Sequence, residues 1–320
     1  MASRLWASWD LCPCNDMNTS ITERKRTSLT EFAAERLIKA SGAVAIIFVF
    51  LIFAFLLREG LPAFTEVPLD NLFSTRWYPI EGLYGMLPLL FGSLVVTIGA
   101  ALIAMPIGLL TAIFIAEIAP RWLREILKPM IEIVAGIPSV VLGFFGVAVL
   151  SSVVRQTLNL PTGLTAFTGA LILAYMALPT IVSVAEDALD AVPRSYRDAA
   201  LALGATKWQT IWMVTVKAGK SGILTAMMLG VGRAIGETMA VLMVTGNAAR
   251  IALDPGALFN PVRTMTATIA AEMGEVAQGS THFHVLFAIG IVLFVITFLV
   301  NLIASFAIFR QSKRSARLLS

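Results

Sequence analysis

Two ionisable residues stand inside an apolar run, where each is expensive to keep. Arg233 and Glu237 lie in the stretch GVGRAIGETMAV, near the middle of residues 221–245, a run long enough to cross a bilayer. A charge at that depth costs about 2.5 to 3.5 kcal/mol on the insertion scale, so both side chains must face protein or water rather than lipid. Four residues apart, they share one face of a continuous helix. Arg before Glu is the weaker order for an ion pair within a helix, so local helix stability is a poor reason for keeping them. Gly230, Gly232 and Gly236 let another helix or a solvated ion approach the backbone closely. A guanidinium is delocalised and forked, which suits a tetrahedral oxyanion such as phosphate, and Arg233 would lower the barrier to such an ion at the midplane. Glu237 would compete for the cation and keep the anion from being held too tightly to leave. Thr238 and Asn247 are candidate hydrogen-bond donors to the same anion. The competing explanation is a salt bridge that locks neighbouring helices together.

A second cluster can do mechanical rather than chemical work. Residues 186–220 interrupt two apolar runs with polar sequence. Asp198, Ala199, Ala200 and Leu201 begin a helix of strong helix formers, Gly204 supplies a left-handed turn, and Thr206 caps a second helix through Trp208 and Trp212. The spacing predicts a helical hairpin with apolar knobs at Leu201, Trp208, Ile211 and Trp212, kept at a membrane surface by Arg194, Arg197, Lys207 and Lys217. A small amphipathic helix presented this way fills a groove on another protein.

The remaining candidates are weaker. His282 and His284 form an HxH with no third ligand close in sequence, and Cys12 and Cys14 fall short of a zinc site, so no metal is expected. Glu132 reads as a group that caps or orients the helix beginning near Pro138, and Met227, Met228, Met239 and Met243 read as packing. Gly219, Lys220 and Ser221 mimic the end of a phosphate-binding loop, but Val214 stands where that loop needs glycine and no strand precedes it. No nucleophile, base and orienter are arranged for catalysis, and neither a catalytic residue nor a cofactor is expected. Energy must therefore enter through a partner, at the 186–220 hairpin.

The elements that carry these residues are membrane spans. Of 320 residues 58% are hydrophobic and 14% charged, with a mean hydropathy of +0.83, which excludes a soluble chain and defines an all-α polytopic membrane protein. Six spans are predicted, at 37–57, 86–116, 138–154, 164–185, 221–245 and 285–309. The net charge of +4 does not point to nucleic acid, because most Lys and Arg fall on one side of those spans. Only Arg58, Arg76, Arg155, Arg250 and Arg263 fall on the other. That bias, about three to one or more, places both termini and the hairpin in the cytoplasm. Residues 1–36 form a cytoplasmic tail in which Met17 is an alternative start, and 311–320 form a basic cytoplasmic tail. Residues 117–130 read as an inside loop and 131–136 as a short interfacial helix. Within the outside loop 247–284, Met265, Ile269, Met273 and Val276 recur at helical spacing and read as an interfacial or partner-facing helix.

Two blocks carry a resemblance. The order Asp198-Ala-Ala followed by Gly204 is similar to the EAA loop of ABC importer permeases, with Asp198 where that superfamily usually has Glu. The run from Pro179-Thr180 through Val192-Pro193 and Tyr196 to Thr206, together with IEIVAGIPSVVLGFFG at 131–146, resembles the PstC/PstA phosphate permeases, most closely the PstC branch. The resemblance covers residues 75–310 and implies a five-helix MetI-like permease core plus one N-terminal helix. It further implies a coupling role for the 186–220 loop, through Asp198, Ala199, Ala200, Leu201, Gly204, Trp208 and Trp212. Arg233 and Glu237 match the pair implicated in phosphate translocation in that family. The partners it implies are a second, PstA-like permease, two PstB-like ATP-binding subunits and an extracytoplasmic PstS-like phosphate-binding protein, in a bacterial inner membrane among its lipids. Another oxyanion such as sulfate or molybdate, a transporter or channel acting without an ATPase, and a signalling scaffold stay open as alternatives.

Overall fold

An apolar run in lipid must satisfy its own backbone, and the helix is how a single segment does so. The structure, a computed structural model, describes residues 29–249 and 256–317. The tail with Cys12, Cys14 and Met17, the cation Arg250 and residues 318–320 lie outside the described residues. The chain divides into two units, Met1–Ile52 and Phe53–Ser320. Helix α1 covers Leu29–Gly60, longer than the predicted 37–57. After two one-turn helices, a two-stranded antiparallel hairpin pairs β1 (Trp77–Tyr78) with β2 (Leu83–Tyr84).

Helix α2 (Leu87–Ile113) continues through one π-wound turn to Ile118. Helix α3 (Arg121–Ala135) then occupies the sequence read as an inside loop, so the expected helix at 131–136 is only its last part. Pro138 precedes α4 (Ser139–Thr157), and α5 (Ala166–Asp190) follows, its first turn capped by the Thr165 hydroxyl. The hairpin consists of α6 (Arg194–Ala202) and α7 (residues 207–218), the latter π-wound at 210–215. The span expected at 221–245 is two pieces, α8 (Lys220–Gly236) and α9 (Met239–Val244). Helix α10 (Met265–Glu272) and α11 (Thr281–Arg317) complete the chain, the last continuing through residues read as a tail. Among the described residues, five helices are long and apolar enough to cross a membrane, one fewer than the predicted six, because the other span is discontinuous.

Small residues set the packing. Helices α2 and α5 meet along Ala100, Ala104, Ala166, Ala174 and Ala177. A Cβ added at Gly108 would lie 2.7 Å from Ile181 Cγ2, and one at Gly230 of α8 only 2.4 Å from Ile181 Cγ1. Without a hydrophobic force between helices in lipid, this close backbone approach supplies the van der Waals contact that holds the spans together. Gly232 and Gly236 face open space instead, so close helix approach holds at Gly230 alone of the three glycines expected to allow it.

The loop after α9 does not stay outside. The Met265 N–H donates to Ser93 Oγ at 2.9 Å, and Ser93 lies six residues into α2, about 9 Å along it. Met265, Ile269, Met273 and Val276 pack inward with Trp77, Leu89, Val285 and Leu286, which corrects the expectation of a partner-facing helix. Their helical spacing reported burial against this chain, because an apolar face does not by itself say what covers it.

Candidate functional site

Helix α8 ends where the chemistry is. Gly236 is the last helical residue, and Glu237 is extended at φ −71°, ψ 135°. Glycine weakens a helix interior, and the freed backbone groups find other partners. Glu237 Oε1 accepts the Ala240 N–H at 3.3 Å, covering an open donor at the start of α9, and the Glu237 carbonyl accepts the Thr266 hydroxyl at 3.0 Å. Arg233 and Glu237 therefore do not share a face of one continuous helix, which corrects the i, i+4 expectation. Arg233 is exposed, and its Nη1 donates across to Thr180 Oγ1 on α5 at 3.1 Å.

Two counts give the depth of this contact. From Lys220 to Arg233 is thirteen residues of α8 and from Thr180 to Asp190 ten residues of α5. These are about 20 Å and about 15 Å of helix rise from the hairpin end. In a hydrocarbon layer about 30 Å thick, the contact sits near the middle. Thr238 is half-buried in the break, where its hydroxyl reaches the Gly236 carbonyl at 3.4 Å. Asn247, at φ 51°, spends its amide on the Leu242 carbonyl at 2.8 Å, so it is not among the groups gathered at the break.

The hairpin forms as its sequence requires. Gly204 takes φ +84°, Thr206 and Gln209 make a reciprocal capping box, and Trp208 and Trp212 pack edge to face with ring centroids 5.8 Å apart. Leu201 and Trp208 are at least half exposed and Trp212 somewhat over a third, while Ile211 is buried against Ile115 and Leu189 rather than standing as a knob. Asp198 and Ala199 are exposed and Ala200 half-buried. Asp198, Leu201 and Lys207 line an open cleft of about 580 Å³ between the hairpin and the ends of α2, α3 and α5.

Charges that sequence reading passed over bind this end together. Lys128 Nζ lies 2.8 Å from both Glu186 and Asp187, and Arg124 pairs with Glu186 and, at 2.5 Å, with Asp190. Hydrogen bonds donated to Asp187 and then Glu186 push the Lys128 amine above its ordinary range. Arg197 reaches Glu117 at 2.6 Å. A signal was present: Arg124 and Lys128 are four apart, as are Glu186 and Asp190, giving two complementary helix faces. Glu132 is exposed, and among the described residues its side chain caps nothing.

At the opposite end His282 lies 2.8 Å from Glu272 and His284 3.0 Å from Glu66. Glu272 also holds Arg263 at 2.7 Å and the Trp77 indole N–H at 3.1 Å. The two histidines therefore serve separate carboxylates and do not converge on one point.

A multi-pass helical bundle, one span broken at mid-depth and an amphipathic hairpin at one end, has the architecture of a membrane permease. The chain belongs to the family of binding-protein-dependent transport system inner membrane components, whose pattern matches residues 104–315 and so takes in both the break and the hairpin. It is 40% identical over 284 residues to the probable ABC transporter permease protein YqgH of Bacillus subtilis, covering 87% of this chain and 91% of that one. To the phosphate transport system permease protein PstC of Xylella fastidiosa it is 37% identical over 295 residues, 86% of this chain and 90% of the relative. Its fold matches a chain of the inward-facing MetNI methionine ABC transporter with a TM-score of 0.57 at 17% identity, over 74% of this chain and 99% of that one. The expected MetI-like core is thus present.

Proposed function

We propose that this chain is the transmembrane permease subunit of an ATP-driven inorganic phosphate importer, moving phosphate across a bacterial inner membrane by alternating access. The observation that carries it is the Arg233 guanidinium at mid-depth beside a break in its own span, held by one neutral hydroxyl at 3.1 Å. A phosphate oxygen makes a stronger, charge-assisted bond to that guanidinium than a threonine hydroxyl can, so the anion displaces Thr180 without first breaking an ion pair. Glu237, across the break, supplies the negative charge that limits how tightly phosphate is held. Thr238 is a secondary donor in the same gap. The family and the PstC name of the relatives support phosphate as the cargo.

ATP hydrolysis belongs to partners: two PstB-like subunits receive the hairpin at Leu201, Trp208 and Trp212, with Asp198, Ala199, Ala200 and Gly204 shaping it. A PstA-like permease completes the pathway, and a PstS-like protein delivers phosphate at the other face, with both termini of this chain in the cytoplasm. A guanidinium fork also fits sulfate or molybdate, so the test must separate the anions. In proteoliposomes holding the full complex, Arg233→Gln and Glu237→Gln should each cut ATP-driven uptake of labelled phosphate, with labelled sulfate at background throughout. Phosphate uptake indifferent to both changes, or sulfate taken up as well as phosphate, overturns the proposal. Leu201→Ala with Trp212→Ala should release the ATPase during co-purification.

A further inference from the structure

Arg197 is placed to do more than keep the hairpin at a charged surface. Its Nη2 donates to Glu117 Oε1 at 2.6 Å and to the Leu189 carbonyl at 2.9 Å, and its Nε donates to both Glu117 oxygens, Oε1 at 3.0 Å and Oε2 at 3.3 Å. Its Nη1 donates to the Val192 carbonyl at 2.7 Å. One planar group thus joins three elements: its own helix α6, the end of α5 with the following turn, and the π-wound end of α2 that carries Glu117. Both partners are largely buried, the side chains being 19% and 9% exposed.

The covalent connections of the hairpin make this contact distinctive. The hairpin runs directly into α5 on one side and α8 on the other, so any displacement of it moves those two spans through the backbone. Span α2 has no such link and meets the hairpin only through side chains. Ile115 and Ile211 supply an apolar contact there, which is non-directional and tolerates sliding. A bidentate guanidinium–carboxylate pair fixes angle as well as distance.

We infer that the Arg197–Glu117 pair is the positioning link through which movement of the hairpin is carried into α2, so that the ends of α2 and α5 shift together when the hairpin is displaced. This deepens the importer reading and rests on it. Lysine keeps the charge at 197 but cannot span Glu117 and two carbonyls with a planar fork, and glutamine at 117 keeps the shape but loses the charge.

The test reads coupling rather than activity alone, in the purified complex with its ATPase in proteoliposomes. Arg197→Lys and Glu117→Gln should hydrolyse ATP at near wild-type rates while phosphate moved per ATP falls between about two- and thirty-fold. A buried pair replaced by apolar residues of similar volume often keeps its stability. The double variant Arg197→Met with Glu117→Leu should therefore assemble and still couple poorly, a result that a merely structural pair would not give. An unchanged phosphate-to-ATP ratio in Arg197→Lys and Glu117→Gln, or normal coupling in the assembled double variant, overturns the inference. Failure of the importer reading is separately visible, as a wild-type complex that moves no phosphate with ATP.

Discussion

Arg233 and Glu237 are four residues apart and point to different partners. The guanidinium donates to Thr180 on a neighbouring span, and the carboxylate accepts the Ala240 N–H from beyond a break in the helix. Each charge is held by a single bond to a neutral group. Hydrogen bonds to a charged group contribute about 1.5 to 3 kcal/mol net, so each side chain can exchange its partner where a fully charged group such as phosphate offers a stronger bond. A mutual ion pair at this depth would instead have to be broken before an anion could bind.

Thr180→Val removes the hydroxyl that holds Arg233 and keeps the branched shape. Because phosphate must displace that hydroxyl, the apparent KM for phosphate should fall by about three- to tenfold, with Thr180→Ser close to wild type. Initial-rate uptake against phosphate concentration measures both, and equal KM values in the two variants would show that the hydroxyl does not position the arginine.

At Glu237 the structural and electrostatic roles separate cleanly. Gln retains an acceptor for the Ala240 N–H, so Glu237→Gln should unfold within a degree or two of wild type while slowing transport. Glu237→Ala loses the acceptor and should cost about 1 kcal/mol besides. Thermal unfolding in detergent, run beside uptake, checks this.

Two glycines three residues from Arg233 or nearer make opposite predictions. Gly230→Ala would drive a methyl to 2.4 Å from Ile181 and should destabilise the bundle by about 1 to 3 kcal/mol. Gly232→Ala has nothing within 4 Å of the added carbon and should raise stability by about 0.5 to 1 kcal/mol, because alanine is the better helix former. Unfolding temperatures in the same detergent should move in opposite directions.

Lys128 gives the hairpin end a pH signature. Its hydrogen bonds to Asp187 and Glu186 raise its pKa above 10.5. A raised lysine contributes stability that is complete below its unfolded pKa and disappears as pH climbs through the folded value. The gap in unfolding temperature between wild type and Lys128→Met should therefore be flat across neutral pH and narrow only above about pH 10.5. A gap that keeps its full width well above that pH would mean that the lysine's charge is not what the acids hold.

Local chemistry was legible in the residues wherever one segment settled its own conformation. Gly204 takes its left-handed turn and Thr206 its capping box with no help from elsewhere in the chain. What surrounds a segment was not legible. Met265, Ile269 and Met273 showed a helical stripe, yet only the docking of α10 beside Ser93 and Trp77 shows that the stripe faces inward. Residues 117–130 read as an inside loop, yet a helix begins at Arg121, and it answers to Glu186, Asp187 and Asp190 some 60 positions away.

By itself the sequence determined that this is a membrane bundle, which end is basic, where the hairpin turns, and that Arg233 and Glu237 need a reason to stand within an apolar span. Those follow from hydropathy, charge and backbone preference, which act within a few residues. Tertiary structure decided that the fifth predicted span breaks at Gly236, that Thr180 receives Arg233, and that Arg197 closes on Glu117 eighty residues away. A helix can open only where the freed groups are satisfied, here locally by the Glu237 carboxylate and from α10 by the Thr266 hydroxyl, and no local pattern shows which distant segment will arrive.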